Sequence, residues 1–325
     1  MLPLLPPLFT LCSPSGRRAA LSILIFHRVL PAPDPLFPDE ADQHRFDEIL
    51  SWLKSWFNIL PLDEAVERLR TASLPSRAAC ITFDDGYADN RTHALPLLQR
   101  HGMTATFFVA TGYLDGGRMW NDTVIEAVRR TGHAEIDLST RGLGVVRTGS
   151  SEEKRTALHH LIPKLKYLAP EAREDAARFV ADRCAAALPD NLMLTTGQLQ
   201  DLHAAGMQIG AHTVTHPILA RCDLSTARRE IADSKNDLEA RIGQRVALFA
   251  YPNGRADADY TRQHVELVAG LGFRAALTTN TGAARHGDDA FQLPRFTPWD
   301  RQRWRFGARL VRNLAQRTRA LRPAG

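Results

Sequence analysis

"ITFDDGYADN", residues 81–90, sets two aspartates, Asp84 and Asp85, at the end of an apolar run, AACITF (78–83), that has the length and composition of a buried strand. No basic residue stands immediately beside the pair. Adjacent carboxylates raise one another's pKa unless something positive lies between or beside them. In parallel α/β architectures, functional side chains collect just beyond the carboxyl ends of the strands. The reading therefore turns on what the other strand ends carry.

Three of them carry polar groups. LSILIF (21–26) is followed by His27, MQIGA (207–211) by HTVTHP (212–217), and VALFA (246–250) by Tyr251 to Gly254. Between such runs lie helix-period segments. RFDEILSWLKSWF (45–57) puts Phe46, Ile49, Leu50, Leu53 and Phe57 on one face, and LDEAVERLR (62–70), a stretch near 196–205, a long one from Leu224 to about Ile242 and another ending at Gly270 follow the same period. TATFFVA (104–110) and FRAALTT (273–279) add strands. Strands alternating with helices imply parallel pairing and right-handed crossovers. The fold class expected is α/β, a distorted or incomplete (β/α) barrel.

Residues from about 113 to 192 break the alternation and read as several helices; with strand-like runs on both sides they form a helical insertion rather than a second domain. The organisation expected is an N-terminal extension (1–19), a barrel (20–299) carrying that insertion, and a basic C-terminal helix or tail (300–325).

The 325 residues are 44% hydrophobic and 24% charged, the balance of a globular chain with a sizeable core. The net charge of +5 is unevenly placed: residues 301–325 hold eight arginines and no acid, so the rest of the chain sums to −3. That argues against a nucleic-acid-binding face on the main body. The tail, with Trp304, Leu310, Val311 and Leu314 among its arginines, fits either a helix packed on its own domain or peripheral contact with an anionic membrane surface. Cys12, Cys80, Cys184 and Cys222 show no CxxC spacing, so neither a zinc ribbon nor a disulfide framework is expected. The opening MLPLLPPLFTLC is apolar but has three prolines and no charged n-region, and it reads as an extension leading into a strand rather than a convincing signal peptide. No later run approaches the ~18 apolar residues that span a bilayer.

The chemistry-bearing residues converge on a metal. A divalent cation resolves the repulsion within the aspartate pair, and the HxxxH spacing of His212 and His216 offers two imidazoles to the same ion. Two imidazoles and one carboxylate make the three-ligand set of a catalytic site, which keeps one position open for water. Taken singly, an Asp-Asp pair after a strand reads as a helix cap and an HxxxH as two ordinary histidines. Their joint appearance at strand ends, with His27 at a third, favours the metal.

TFDDGYADN, HTVTHP and FAYPNG resemble the motifs of the polysaccharide deacetylases, carbohydrate esterases of family four with a NodB-like homology domain folded as a distorted (β/α) barrel. The resemblance runs from about residue 20 to 296, and IFHRVLP with LPR (293–295) is most similar to the branch associated with bacterial exopolysaccharide gene clusters. It implies Asp84 as general base, Asp85 as metal carboxylate, His212 and His216 as imidazole ligands, and a backbone N–H at Asn253 for the oxyanion. It also implies one divalent ion, Zn2+ first and Co2+ or Ni2+ as alternatives, an N-acetylated polysaccharide or oligosaccharide substrate, and work at the bacterial envelope, whereas the lack of a convincing signal peptide points to the cytoplasm. Two departures stand out: Ala250 occupies the place of the arginine that opens the third motif, and no late Leu-x-His supplies an acid.

Arg295 is then the candidate for the positive charge beside Asp84, and His27 for the general acid. Tyr251, Trp120 and Trp299 are candidate substrate contacts, while Asn121 and Asp122 read as a helix cap. A hydrolase of a non-sugar amide or other C–N bond, and a carbohydrate-binding homologue without catalysis, remain as rival readings. The sequence leaves the oligomeric state open.

Overall fold

The computed structural model describes residues 5–316 and residue 321. Arg317, Arg319 and Arg322 of the basic tail lie outside the described residues. The chain opens with α1 (Leu5–Cys12), β1 (Ala20–Phe26), α2 (Gln43–Trp56), β2 (Asn58–Ile59), α3 (Leu62–Arg70), β3 (Ala78–Phe83), α4 (Leu95–His101) and β4 (Thr106–Val109). Next comes the insertion, with α5 (Trp120–Arg130), β5 (Glu135–Asp137), β6 (Val145–Arg147), α6 (Ser151–Lys166) and α7 (Pro170–Cys184). The alternation resumes with α8 (Thr196–Ala204), β7 (Gln208–Ala211), α9 (Leu224–Ile242), β8 (Leu248–Ala250), α10 (Arg262–Gly270), β9 (Ala275–Leu277), β10 (Ala284–Arg285) and α11 (Arg303–Ala315).

The sheet runs β10-β1-β3-β4-β7-β8-β9 with β2 beside β3, and every pairing is parallel except that of β10 on β1. It curls into the distorted barrel expected. Leu293 bridges to Leu277 and Phe296 to Leu24, so residues 293–296 span the gap between β9 and β1. Strand side chains alternate between two cores. Leu24, Phe26, Ile81, Phe83, Phe107 and Phe249 face the outer helices, where α2 brings Phe46, Ile49 and Leu53. Leu21, Ile23, Cys80, Phe108 and Leu277 face inward with Leu62, Val66 and Leu69 of α3. Burial on both faces explains why the strands read as continuous apolar runs rather than as alternating patterns.

The insertion packs its own core from Val124 and Val128 of α5, Leu158 and Leu161 of α6 and Val180 of α7, joined by Leu36 from the loop after β1. It is not purely helical. β5 and β6 pair antiparallel as a small hairpin of three-residue strands, each with only its central residue buried, too short to leave a period in the sequence.

Helices lie in both flanking segments, α1 within residues 1–19 and α11 within residues 300–325. The N-terminal stretch forms α1, whose Phe9 is buried against Trp56 and Phe57 with ring centroids 5.5 and 4.7 Å away. Pro6 and Pro7 fall in its first turn, where a missing N–H costs nothing. α11 packs on the barrel through Phe306, Leu310 and Leu314. Among the described residues, no helix is long and apolar enough to cross a membrane.

Candidate active site

The carboxyl ends of the strands open onto a cleft of about 600 Å³ lined by His27, Asp84, Asp85, His212, His216, Asn253 and Trp299, among others. One wall is the loop after β1, and the facing part of α5 supplies Asn121, Asp122 and Ile125. The insertion thus borders the site.

β3 delivers the aspartates. The Asp84 amide extends the ladder by donating to the Phe26 carbonyl at 3.0 Å, and then Asp85 (φ +75°) and Gly86 (φ +87°) turn through the left-handed region. A Cβ on Gly86 would lie 2.9 Å from Val109 Cγ1, so only glycine lets the turn pass this close to β4. Arg295, carried by the 293–296 bridge, donates from two nitrogens to the two oxygens of Asp84, each at 2.7 Å, and from Nε to the Thr278 carbonyl at 2.9 Å. Both side chains are buried. Burial alone raises the Asp84 carboxyl, but the Arg295 charge, with His212 behind it, holds it below the usual carboxylate range.

The HTVTHP loop delivers the imidazoles. Thr213 (φ +67°) and His216 (φ +52°) bend it, the Thr213 hydroxyl accepts from the His216 amide at 3.1 Å, and Glu230 of α9 accepts from the Val214 and Thr215 amides at 2.9 and 2.8 Å. His212 and His216 each bring Nε2 to 3.4 Å from Asp85 Oδ1. His212 Nδ1 lies 2.7 Å from the Ala250 carbonyl, so it carries the proton there and leaves the Nε2 lone pair facing Asp85. One donor atom from each of Asp85, His212 and His216 lies within 4.8 Å of the others.

Their electrostatics suit a cation. Burial resists ionisation of Asp85, but its imidazole neighbours, His212 first and then His216, hold its carboxyl well below the ordinary range. Burial lowers His216 to about 4 and so keeps it neutral. Burial pulls on His212 in the same sense, yet Asp84 and Asp85 outweigh it and its pKa rises. The donor set is two imidazoles and one carboxylate around a common point, the arrangement of a three-ligand site.

Residues 71–169 and 170–276 match the family described as polysaccharide deacetylase. The chain belongs to the polysaccharide deacetylase family. It is 23% identical over 279 residues to YxkH of Bacillus subtilis (strain 168), covering 85% of this chain and 71% of that protein. Its fold is similar to that of the Streptococcus pyogenes deacetylase PplD in complex with acetate, at a TM-score of 0.60 and 20% identity over 91% of this chain and 98% of that one. IcaB from Ammonifex degensii gives 0.60 and 20% over 91% and 97%, and a de-N-acetylase from Aggregatibacter actinomycetemcomitans gives 0.55 and 15% over 85% and 94%. The protein is therefore an enzyme, a deacetylase of polysaccharides.

Two of the candidate substrate contacts of this deacetylase lie away from the cleft. The Tyr251 ring is buried on the helix side, stacked on Tyr260 at 4.1 Å, with its hydroxyl donating to the Phe291 carbonyl at 3.1 Å. Trp120 is buried in the insertion core, with the Arg173 guanidinium 5.3 Å from its ring. Trp299 does line the cleft and is 64% exposed. Asn253 (φ +59°) lines it too, held by the Thr279 hydroxyl donating to its carbonyl at 2.6 Å. His27 lines the cleft close enough to bear electrostatically on Asp84, Asp85 and His216.

The deacetylase cleft also uses residues that the sequence reading passed over. Asn121 and Asp122 are not a cap: Met119 is the N-cap of α5, and Asp122 accepts from the Tyr87 hydroxyl at 3.1 and 3.2 Å. The Arg28 guanidinium sits 4.6 Å from the Tyr87 ring centroid and donates to Asp89 at 2.7 Å. The Asn90 amide donates to the His27 carbonyl at 2.9 Å. Tyr87, Asp89 and Asn90 all belong to the stretch that carries the aspartate pair, so one segment ties β3, the loop after β1 and the insertion together. The polar density of GYADN was the available signal.

Proposed function

We propose that this deacetylase is a single-metal hydrolase that removes N-acetyl groups from amino sugars of a bacterial exopolysaccharide, releasing acetate and a free amine. The observation that carries the reading is the juxtaposition of three convergent donors, Asp85, His212 and His216, with a fourth group, Asp84, locked by Arg295 in the same cleft. A divalent ion held by those three side chains, zinc first and cobalt or nickel as alternatives, supplies an acidified water and a polarised acetyl carbonyl.

The residues of the chain do the rest. Asp84, ionised and fixed at both oxygens, takes the proton of the attacking water as general base. Arg295 is a positioning residue for it, filling the charge role that Ala250 leaves vacant in the third motif. The backbone N–H at Asn253, in a turn closed by Gly254 donating to the Pro252 carbonyl at 2.7 Å, is assigned to the developing oxyanion. His27 is assigned delivery of a proton to the amine as the C–N bond breaks. Trp299, on the rim, offers a ring face to a sugar.

Two things support the N-acetyl substrate: the fold shared with a de-N-acetylase and with a deacetylase in complex with acetate. The exopolysaccharide assignment rests on IFHRVLP and LPR. The test is acetate release from N-acetylglucosamine oligomers and from non-sugar acetamides. The oligomers should be deacetylated, a chelator should stop the reaction, and Zn2+, Co2+ or Ni2+ should restore it. Release from the acetamides alone would replace the proposed substrate. His27→Ala should lower turnover by about 10²–10⁴ with bound metal intact; undiminished turnover would remove His27 from its role.

A further inference from the structure

We infer that the two chain ends form one docking surface for an anionic lipid bilayer. Residues 1–19 contain two arginines and no acid, and residues 301–325 contain eight arginines and no acid, which leaves the body, 20–300, at −5. The fold brings the described parts of these segments together, since α1 packs against α11. α1 carries no charge. It buries Phe9 and turns Leu8 (42% exposed) and Leu11 (79% exposed) to solvent. The outer face of α11 carries Arg301 just ahead of it, then Trp304 (50% exposed), Arg305 and Arg312. Arg17 and Arg18, just past α1, are exposed as well.

The combination selects the partner. Arginines alone fit any polyanion, and exposed leucines alone fit any apolar surface. Uncharged leucines beside a belt of arginines and a tryptophan match the boundary of a bilayer, where apolar side chains enter the acyl region and cations meet anionic headgroups. Among the described residues no helix is long and apolar enough to cross a membrane, and the contact proposed is a peripheral one. Arg309 of α11 lies 5.7 Å from the ring centroid of Trp299, a residue of the cleft rim, so this surface adjoins the mouth of the active site.

The test is co-sedimentation of the full chain with vesicles of phosphatidylglycerol and of phosphatidylcholine. Binding should favour the anionic vesicles by about tenfold or more and weaken as salt rises. Leu8→Ser with Leu11→Ser, and separately Arg305→Glu with Arg312→Glu, should each reduce binding by about tenfold or more. Both variants alter exposed side chains, so unchanged thermal unfolding and unchanged acetate release from a soluble oligomer serve as controls for the fold. Equal binding to both vesicles, or none to the anionic ones, overturns the inference. Loss in the arginine variant with full retention in the leucine variant also overturns it, because the surface then reads a polyanion rather than a bilayer. So does leucine-dependent self-association without vesicle binding, which would make a second copy the partner.

Discussion

The pair that governs the site is Asp84 with Arg295, two buried charges joined at both oxygens. Breaking such a pair leaves an uncompensated buried charge, so Arg295→Ala should cost about 3–5 kcal/mol of stability by denaturant unfolding. Asp84→Asn with Arg295→Met should recover most of that loss yet remain without activity; a double variant as unstable as the single one contradicts the explanation. The aspartates and histidines were legible because each motif is contiguous. Arg295 was legible only as a candidate, since it stands 211 positions from its partner. Asp122 was misread. Burial, with Asp85 and Glu126 nearby and against the pull of Arg28 and the Tyr87 hydroxyl, pushes its carboxyl from 3.8 up to about 7. Native protein therefore holds a proton there that the unfolded chain releases, and stability falls as pH rises through that window. Asp122→Asn abolishes the titration and keeps the polar contact with Tyr87. Its melting temperature should gain on wild type between about pH 4 and 7; a constant difference across that range contradicts the assignment.

At the scale of elements, the turn after β8 and the cap of α2 separate catalysis from stability. Gly254 has φ +73°, and a Cβ on it would lie 2.9 Å from the Thr279 amide. Gly254→Ala should cost about 1–3 kcal/mol and, by displacing the amide at Asn253, lower kcat by about 10². Asp42 accepts from the Arg45 amide at 2.7 Å at the start of α2, and its own side chain does not line the cleft. Asp42→Ala should cost about 1 kcal/mol and leave kcat unchanged. Equal effects of the two on kcat would show that turnover follows global stability rather than the turn. Helices with a strong period, α3 at 62–70 and α9 at 224–242, were readable to the residue, as was β3 at 78–83. β5 and β6 were not, because three residues leave no period. Tyr251 was misplaced for a related reason: alternation past β8 sends Ala250 inward and Tyr251 to the helix side, and a strand end read from sequence does not say which residue faces the rim.

For the whole molecule, the α/β barrel with an insertion was legible from the alternation of strands and helices. Its closure was not, since the 293–296 bridge touches β9 and β1 through single residues. The proposed ligands come from the turn after β3 and from the loop after β7, so an ion held by them would join segments far apart in sequence and bind the folded chain alone. Adding Zn2+ to chelated protein should therefore raise the melting temperature, with about 4 kcal/mol gained at a thousandfold excess over Kd. Asp85→Asn should lose most of that gain. The most direct measurement is bound metal and acetate release, side by side, for wild type, Asp84→Asn and Asp85→Asn. The account predicts about one ion per chain and full activity in wild type, the ion without activity in Asp84→Asn, and neither in Asp85→Asn. An Asp85→Asn protein that keeps its metal and still releases acetate would contradict it.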